Sequence, residues 1–195
     1  MALTPAVFLD KDGTLLEDVP YNVAPEHMRL ARGAREGLRM LGRLGLPLIV
    51  VSNQPGVALG HFDTACIAPM AARLSTLCEH AGAPLSGFYW CPHHPQGRIA
   101  AYARRCACRK PAPGMLLRAA REHGLDLRRS WMVGDILDDI EAGHRAGCRS
   151  VLLDNGGETL WQAGAQRTPT RCVPDLAAAA AVIVATLRAE GMAAA

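Results

Sequence analysis

Short apolar runs, each halted by polar residues, recur along this chain. Ala6-Val7-Phe8-Leu9 stops at Asp10, Pro47-Leu48-Ile49-Val50-Val51 at Ser52, and Trp131-Met132-Val133 at Gly134-Asp135. Runs of this length without alternation read as strands buried on both faces. Strands are predicted at 6–10, 47–52, 87–90, 131–134 and 150–153. Between them, helical patterning predicts helices near 33–44, 63–81, 114–124, 138–147 and 175–189. Gly45 and Gly124 fit helix stops, and Pro113 suits a first helical turn. Strand–helix alternation of this kind argues for an α/β fold with a parallel sheet between two helical layers. The stretch from Leu15 to Leu30, with Pro20 and Pro25, is expected to form a flap beside the strand ends. Neither it nor the segment between Asn53 and Lys110 leaves room for a large cap, so residues 1–195 are read as one domain without internal repeats.

Composition narrows the class further. A chain of 195 residues and 20.8 kDa supports one substantial core. The net charge of +3 is small and scattered, and aromatics make up only 5%, which leaves few stacking platforms for nucleic acid. Met1-Ala2-Leu3-Thr4 runs straight into the first strand with no basic and apolar leader. The alanine-rich stretch from Leu176 to Leu187 is followed by Arg188 and Glu190, and reads as a docking helix and not a membrane span. A cytoplasmic monomer with no membrane or nucleic-acid partner is expected.

The chemistry gathers where the apolar runs end. Asp10-Lys11-Asp12-Gly13-Thr14 places two carboxylates one residue apart at a strand's carboxyl end, where open α/β sheets bind ligands. If the chain curls after Asp12, one carboxylate can act as nucleophile and the other as proton carrier. Ser52-Asn53-Gln54 supplies a hydroxyl and amides, Arg109-Lys110-Pro111 a cation ahead of a helix, and Asp135 with Asp138 and Asp139 more carboxylates. Carboxylates hold a divalent cation, hydroxyl and backbone N–H groups bind phosphate oxygens, and a lysine neutralises developing charge. The set is a phosphoryl-transfer kit.

Seven cysteines, an odd number, argue against a disulfide framework. Cys91-Pro92-His93-His94 and Cys106-Ala107-Cys108, separated by residues 95–105, offer four ligands suited to a closed tetrahedral zinc site. His94 is the alternative to His93, which the alternating spacing favours. The intervening loop has few apolar residues, so a metal clip would order it. Cys66, Cys78, Cys148 and Cys172 are expected in the core, as are Trp90, Trp131 and Trp161. His27, His61, His80, His123 and His144 read as surface or helix-end groups, and Asp138 and Asp139 sit where a helix dipole favours negative charge.

The four segments occur in the order found in the haloacid-dehalogenase-like phosphatases, and the chain resembles that family over roughly residues 5 to 155. The resemblance implies a Rossmann-like three-layer sheet, Asp10 as nucleophile forming an aspartyl-phosphate, and Asp12 as general acid then base. It also implies Mg²⁺ held by Asp10, the Asp12 carbonyl and Asp135, and phosphoryl stabilisation by Ser52 and Lys110. Of Asp138 and Asp139, Asp139 is expected to be the fourth-motif acid that orients Lys110 or a metal-bound water. The zinc loop is similar to that of heptose-bisphosphate phosphatases, with histidinol-phosphate phosphatases second. That likeness implies a small phosphorylated sugar as substrate, recognised by Arg109 and bordered by Asp18, Tyr21, Asn53 and Gln54. The chain departs from the pattern at Leu16, Pro55, Leu59, His61 and Ile136. A non-catalytic phosphosugar-binding module is the alternative of another class, but Asp10, Asp12 and Lys110 are all kept.

Overall fold

The structure, a computed structural model, describes residues 3–191. Met1, Ala2 and residues 192–195, the ends of the span read as one domain, lie outside the described residues. Six strands form one parallel sheet: β1 (Val7–Leu9), β2 (Leu48–Asn53), β3 (Gly87–Cys91), β4 (Trp131–Gly134), β5 (Arg149–Leu153) and β6 (Arg171–Val173). The helices are α1 (Ala34–Gly42), α2 (Gly56–Leu59), α3 (Ile67–His80), α4 (Gly114–His123), α5 (Leu137–Ala146) and α6 (Leu176–Ala189).

Strand alternation divides the core into two layers. Val7, Leu9, Val50 and Val133 face one side, against Leu38 of α1, Met70 of α3 and Ile183 of α6. Phe8, Ile49, Val51 and Met132 face the other, against Met115 and Leu116 of α4 and Ala142 of α5. Each such side chain fully withdrawn from water contributes about 1.5–3 kcal/mol, so both faces of the central strands must be covered.

The strand order is β3-β2-β1-β4-β5-β6. The chain moves outward from β1 to β3, returns to β4 on the other flank of β1, and moves outward again. The crevice beyond the carboxyl ends of β1 and β4 is therefore the topological switch point, where ligands bind in folds of this type.

The predicted strands and long helices are present, with some differences. The helix expected over 63–81 begins as a single 3-10 turn, Thr64–Cys66, capped by Asp63, whose carboxylate accepts from Ala65 N at 2.8 Å. Gly124, with φ 64°, ends α4, but α1 stops at Gly42, before Gly45. Pro113 is the residue just before α4. β6 and α2 have no counterpart in the sequence reading. β6 is three residues long with exposed Arg171 and Cys172, so it lacks the apolar signature of a strand. Cys172 is therefore not the core residue expected; Cys78 and Cys148 are buried and Cys66 is half-buried. Trp131 is buried under the Arg149 guanidinium, 4.4 Å from its ring, and Trp90 packs half-buried on the core. Trp161 is 57% exposed, on the loop between β5 and β6, where no element covers it. No helix among the described residues is long and apolar enough to cross a membrane.

Candidate active site

β1 ends at Leu9, and Asp10 N is bonded to Val133 O at 2.9 Å, so the first carboxylate is seated between the two switch-point strands. The chain then curls: Leu15 N and Leu16 N both bond to Lys11 O, and Gly13, with φ 76°, takes the left-handed turn. A Cβ at Gly13 would run into the Asp135 carboxylate, so the turn tolerates neither the strain nor the volume of a side chain.

Lys110 reaches in from the start of α4. Its Nζ donates to Asp10 Oδ1 and to Val51 O at 2.8 Å, and forms an ion pair with Asp139 Oδ1 at 2.6 Å. Burial opposes the charge on Lys110, but the Asp10 and Asp139 carboxylates outweigh it and push its pKa up, so it stays protonated. Asn53 holds the same lysine from the main-chain side: its Nδ2 donates to Lys110 O at 3.1 Å and its Oδ1 accepts from Lys110 N at 3.0 Å. Asp139 is fully buried in the first turn of α5, and its Oδ2 also accepts from Ile136 N at 3.3 Å. It occupies the place expected of the acid that orients Lys110.

Asp135 lies just beyond β4, where Thr14 Oγ1 donates to its Oδ1 at 3.4 Å. Oxygens of Asp10, Asp135 and Asp139 lie within 4.8 Å of one another. Burial, then repulsion from Asp10 and Asp139, raises the Asp135 pKa to about 8; burial, opposed by Lys110, raises that of Asp139 to about 7. Were all three buried carboxylates ionised they would outnumber the one lysine beside them, a deficit of positive charge that the raised pKa values reflect. A hard divalent cation with oxygen ligands fits that deficit.

Asp12 points elsewhere. Its Oδ1 pairs with Lys11 Nζ at 2.7 Å and its Oδ2 accepts from Gln54 Nε2 at 3.4 Å. Burial, offset by Lys11, raises its pKa to about 6, a value suited to a group that gives and takes a proton near neutrality. Gln54 Nε2 also donates to Ser52 Oγ at 2.8 Å, which holds the buried serine at the end of β2. The sequence reading assigned nothing to Lys11. It is buried, pairs with Asp12 and approaches Asn22 O of the flap at 3.5 Å. A lysine between two strand-end carboxylates was the available signal, but strict alternation would have turned it away.

Asp12, Asp18, Tyr21, Asn53 and Gln54 line a cavity of about 170 Å³ beside the carboxylates. Tyr21, at φ 56°, stacks on His61 with ring centroids 4.0 Å apart. His61 is thus tied to the flap, beyond the plain surface role expected. Arg109 does not line that cavity; its Nη1 donates to His93 O at 3.4 Å on the adjoining loop. Leu16 is buried and bridges Asp12 and Leu30, Pro55 precedes α2, Leu59 ends it, and Ile136 precedes α5. A larger groove of about 1000 Å³ lies where Glu17, Met28, Arg35 and Arg73 meet, and none of the site residues line it.

The cysteine loop closes on itself. Cys108 Sγ lies 3.1 Å from Cys91 Sγ and 3.2 Å from Cys106 Sγ, and His93 Nδ1 is 3.6 Å from Cys91 Sγ. A tetrahedral zinc with bonds of about 2.3 Å to sulfur separates its ligands by up to roughly 3.8 Å, so the donor set fits that ion. His93 is the histidine in the cluster; His94 is half-buried outside it, and its Nδ1 accepts from Gln96 N at 3.1 Å.

A doubly wound parallel sheet with these carboxylates and a buried lysine at its switch point defines a phosphoryl-transferring hydrolase. The profile of the HAD-hydrolase-like family matches residues 107–179. The D-glycero-beta-D-manno-heptose-1,7-bisphosphate 7-phosphatase of Yersinia pestis is 36% identical over 82% of this chain and 85% of its own length. The Escherichia coli (strain K12) enzyme of the same name is 36% identical over 80% of this chain and 82% of its own. The D,D-heptose 1,7-bisphosphate phosphatase of B. bronchiseptica, solved with magnesium and phosphate, superposes with a TM-score of 0.80 at 32% identity, over 93% of this chain and 99% of that one. The chain belongs to the HAD-like phosphatases, on the branch that holds these heptose-bisphosphate phosphatases.

Proposed function

We propose that this chain, working as a single domain, hydrolyses the 7-phosphate of a D-glycero-D-manno-heptose 1,7-bisphosphate through an aspartyl-phosphate on Asp10. The observation that carries the reading is the convergence of Asp10, Lys110, Asp135 and Asp139 at the switch point, beside a Cys₃His loop. In the first step an Asp10 oxygen attacks phosphorus in line, the bond from phosphorus to the sugar oxygen breaks, and Asp12 gives that oxygen its proton. In the second, water attacks the phosphorus of the aspartyl-phosphate while Asp12 takes back a proton, releasing phosphate and restoring Asp10. Lys110 would stabilise the transferring oxygens by its charge and the Ser52 hydroxyl by hydrogen bonding. Mg²⁺, held by Asp10, the Asp12 carbonyl and Asp135, would offset repulsion between the anionic nucleophile and the anionic phosphate. Asp18, Tyr21 and Gln54, which line the cavity, would border the sugar, and zinc on Cys91, His93, Cys106 and Cys108 would order the adjoining loop from which Arg109 would recognise it. Asn53, which lines the same cavity, would join that border while bonding the main-chain O and N of Lys110.

Asp10→Asn should lower kcat by at least about a thousandfold while the fold is retained; near-wild-type turnover of the purified variant would refute the nucleophile assignment. Substrate is tested by comparing kcat/KM for both heptose bisphosphate anomers with that for histidinol phosphate. Ile136 and Leu59 offer no cation to a second phosphate, and each lost charge-assisted bond costs roughly 1.5–3 kcal/mol. A bisphosphate should therefore bind through Arg109 and the zinc loop, and a clear preference for histidinol phosphate would overturn the heptose reading.

A further inference from the structure

Asp135 is held from two sides by glycines that come from opposite ends of the chain. Gly13 belongs to the turn after β1 and Gly157 to the turn after β5, and a Cβ on either would run into the Asp135 carboxylate. One side chain ties those two turns together. Asn155 Nδ2 donates to Gly13 O at 2.7 Å, and Asn155 Oδ1 accepts from Gly157 N at 3.1 Å. One residue further on, Glu158 Oε2 accepts from Leu137 N at 2.7 Å and Glu158 Oε1 from Leu160 N at 2.6 Å. The turn is thereby fastened to the first residue of α5, two residues beyond Asp135.

We propose that Asn155 is a positioning residue for the metal-holding carboxylate: its amide staples Gly13 to Gly157, and the two glycine backbones fix the orientation of Asp135. The inference rests on the reading of Asp135 as a Mg²⁺ ligand. The physical case is one of preorganisation. Asp135 is buried beside Asp10 and Asp139, and such a carboxylate lowers its energy by turning away from its neighbours unless the walls prevent it. Thr14 supplies only one long bond, at 3.4 Å, so the walls must do most of the orienting. Both walls are bare backbone, which permits close approach but gives no lateral hold of its own. The Asn155 amide provides that hold, with its donor and its acceptor each used once. Asn155 itself is exposed, so its removal leaves the core intact.

The experiment is calorimetric titration of the full-length protein with Mg²⁺, for wild type, Asn155→Ala, Gly157→Ala and Thr159→Ala. Removing an outer support of a metal ligand typically costs about 10–100-fold in affinity. Asn155→Ala should raise the Mg²⁺ Kd at least about tenfold, with the melting temperature of the metal-free protein unchanged and kcat recovered at saturating Mg²⁺. Gly157, whose φ lies outside the left-handed region, accepts alanine without backbone strain; the added methyl meets Asp135 directly and should give the same signature. Thr159→Ala, in the same loop, should bind as wild type does. Wild-type binding together with unchanged affinity in both Asn155→Ala and Gly157→Ala overturns this inference alone. Failure of the wild type to bind Mg²⁺ overturns the magnesium reading, and this inference with it.

Discussion

Lys110 shows how one side chain can be structural and chemical at once. Its ammonium is withdrawn from water, which is costly, and is tolerated because it touches Asp10, Asp139 and Val51 O. The same contacts aim it at the position where a transferring phosphoryl group must pass. Lys110→Ala would leave Asp10, Asp135 and Asp139 facing one another with no internal cation. Removing one partner of a buried pair costs about 3–5 kcal/mol, so the variant should lose stability of that order as well as activity. Urea denaturation without metal measures it, and a loss below about 1 kcal/mol, the worth of an exposed pair, would show that the pair is in effect solvated.

Among the elements, the loop from β3 to α4 depends most on something other than its own packing. It carries Arg104, Arg105 and Arg109 and has only scattered apolar residues, yet it seats Lys110 in the site. Its order comes from the sulfur–imidazole cluster and from a few backbone bonds, such as Gly114 N to Ala107 O at 2.8 Å. Protein purified without chelator should carry about one zinc per chain. Stripping it should speed hydrogen exchange across residues 92–109 before the sheet strands exchange, because the binding energy of such a site is the folding energy of its loop. Equal exchange with and without metal would contradict this. The flap on the opposite wall is held differently, by the bridges of Leu16 to Asp12 and Leu30 and by the Tyr21–His61 stack.

At the scale of the whole molecule, the site exists because β1 lies at the centre of the sheet with β2 on one flank and β4 on the other. Residues 10, 110 and 135 meet only if both faces of that sheet are covered by helices. α6, at the far end of the chain, supplies much of one cover: it packs on α1 and buries Leu176, Ala179, Ala180, Ile183 and Leu187. Ile183→Ala, far in sequence from every site residue, should cost about 2–5 kcal/mol by cavity formation. Equilibrium unfolding is the measurement. At a temperature where the variant remains folded its kcat should match the wild type, and a specific loss of kcat would mean that α6 does more than cover the sheet.

What the sequence determined by itself was the element pattern of the buried strands and the inventory of chemistry at their ends. Continuous apolar runs such as 6–9 and 48–51 can be satisfied only by burial on both faces, and the polar residues that stop them must then emerge together at one edge. Cys-x-His and Cys-x-Cys likewise state their ligands in their spacing. Tertiary structure alone decided the relations that spacing does not encode. β6 forms because β5 offers an unpaired edge, though Arg171 and Cys172 carry no strand pattern. Lys11 pairs with Asp12 because Gly13 reverses the chain one residue later. Asn155 meets Gly13 across 142 positions because β5 is two strands from β1 in the folded sheet, a proximity that local composition cannot express.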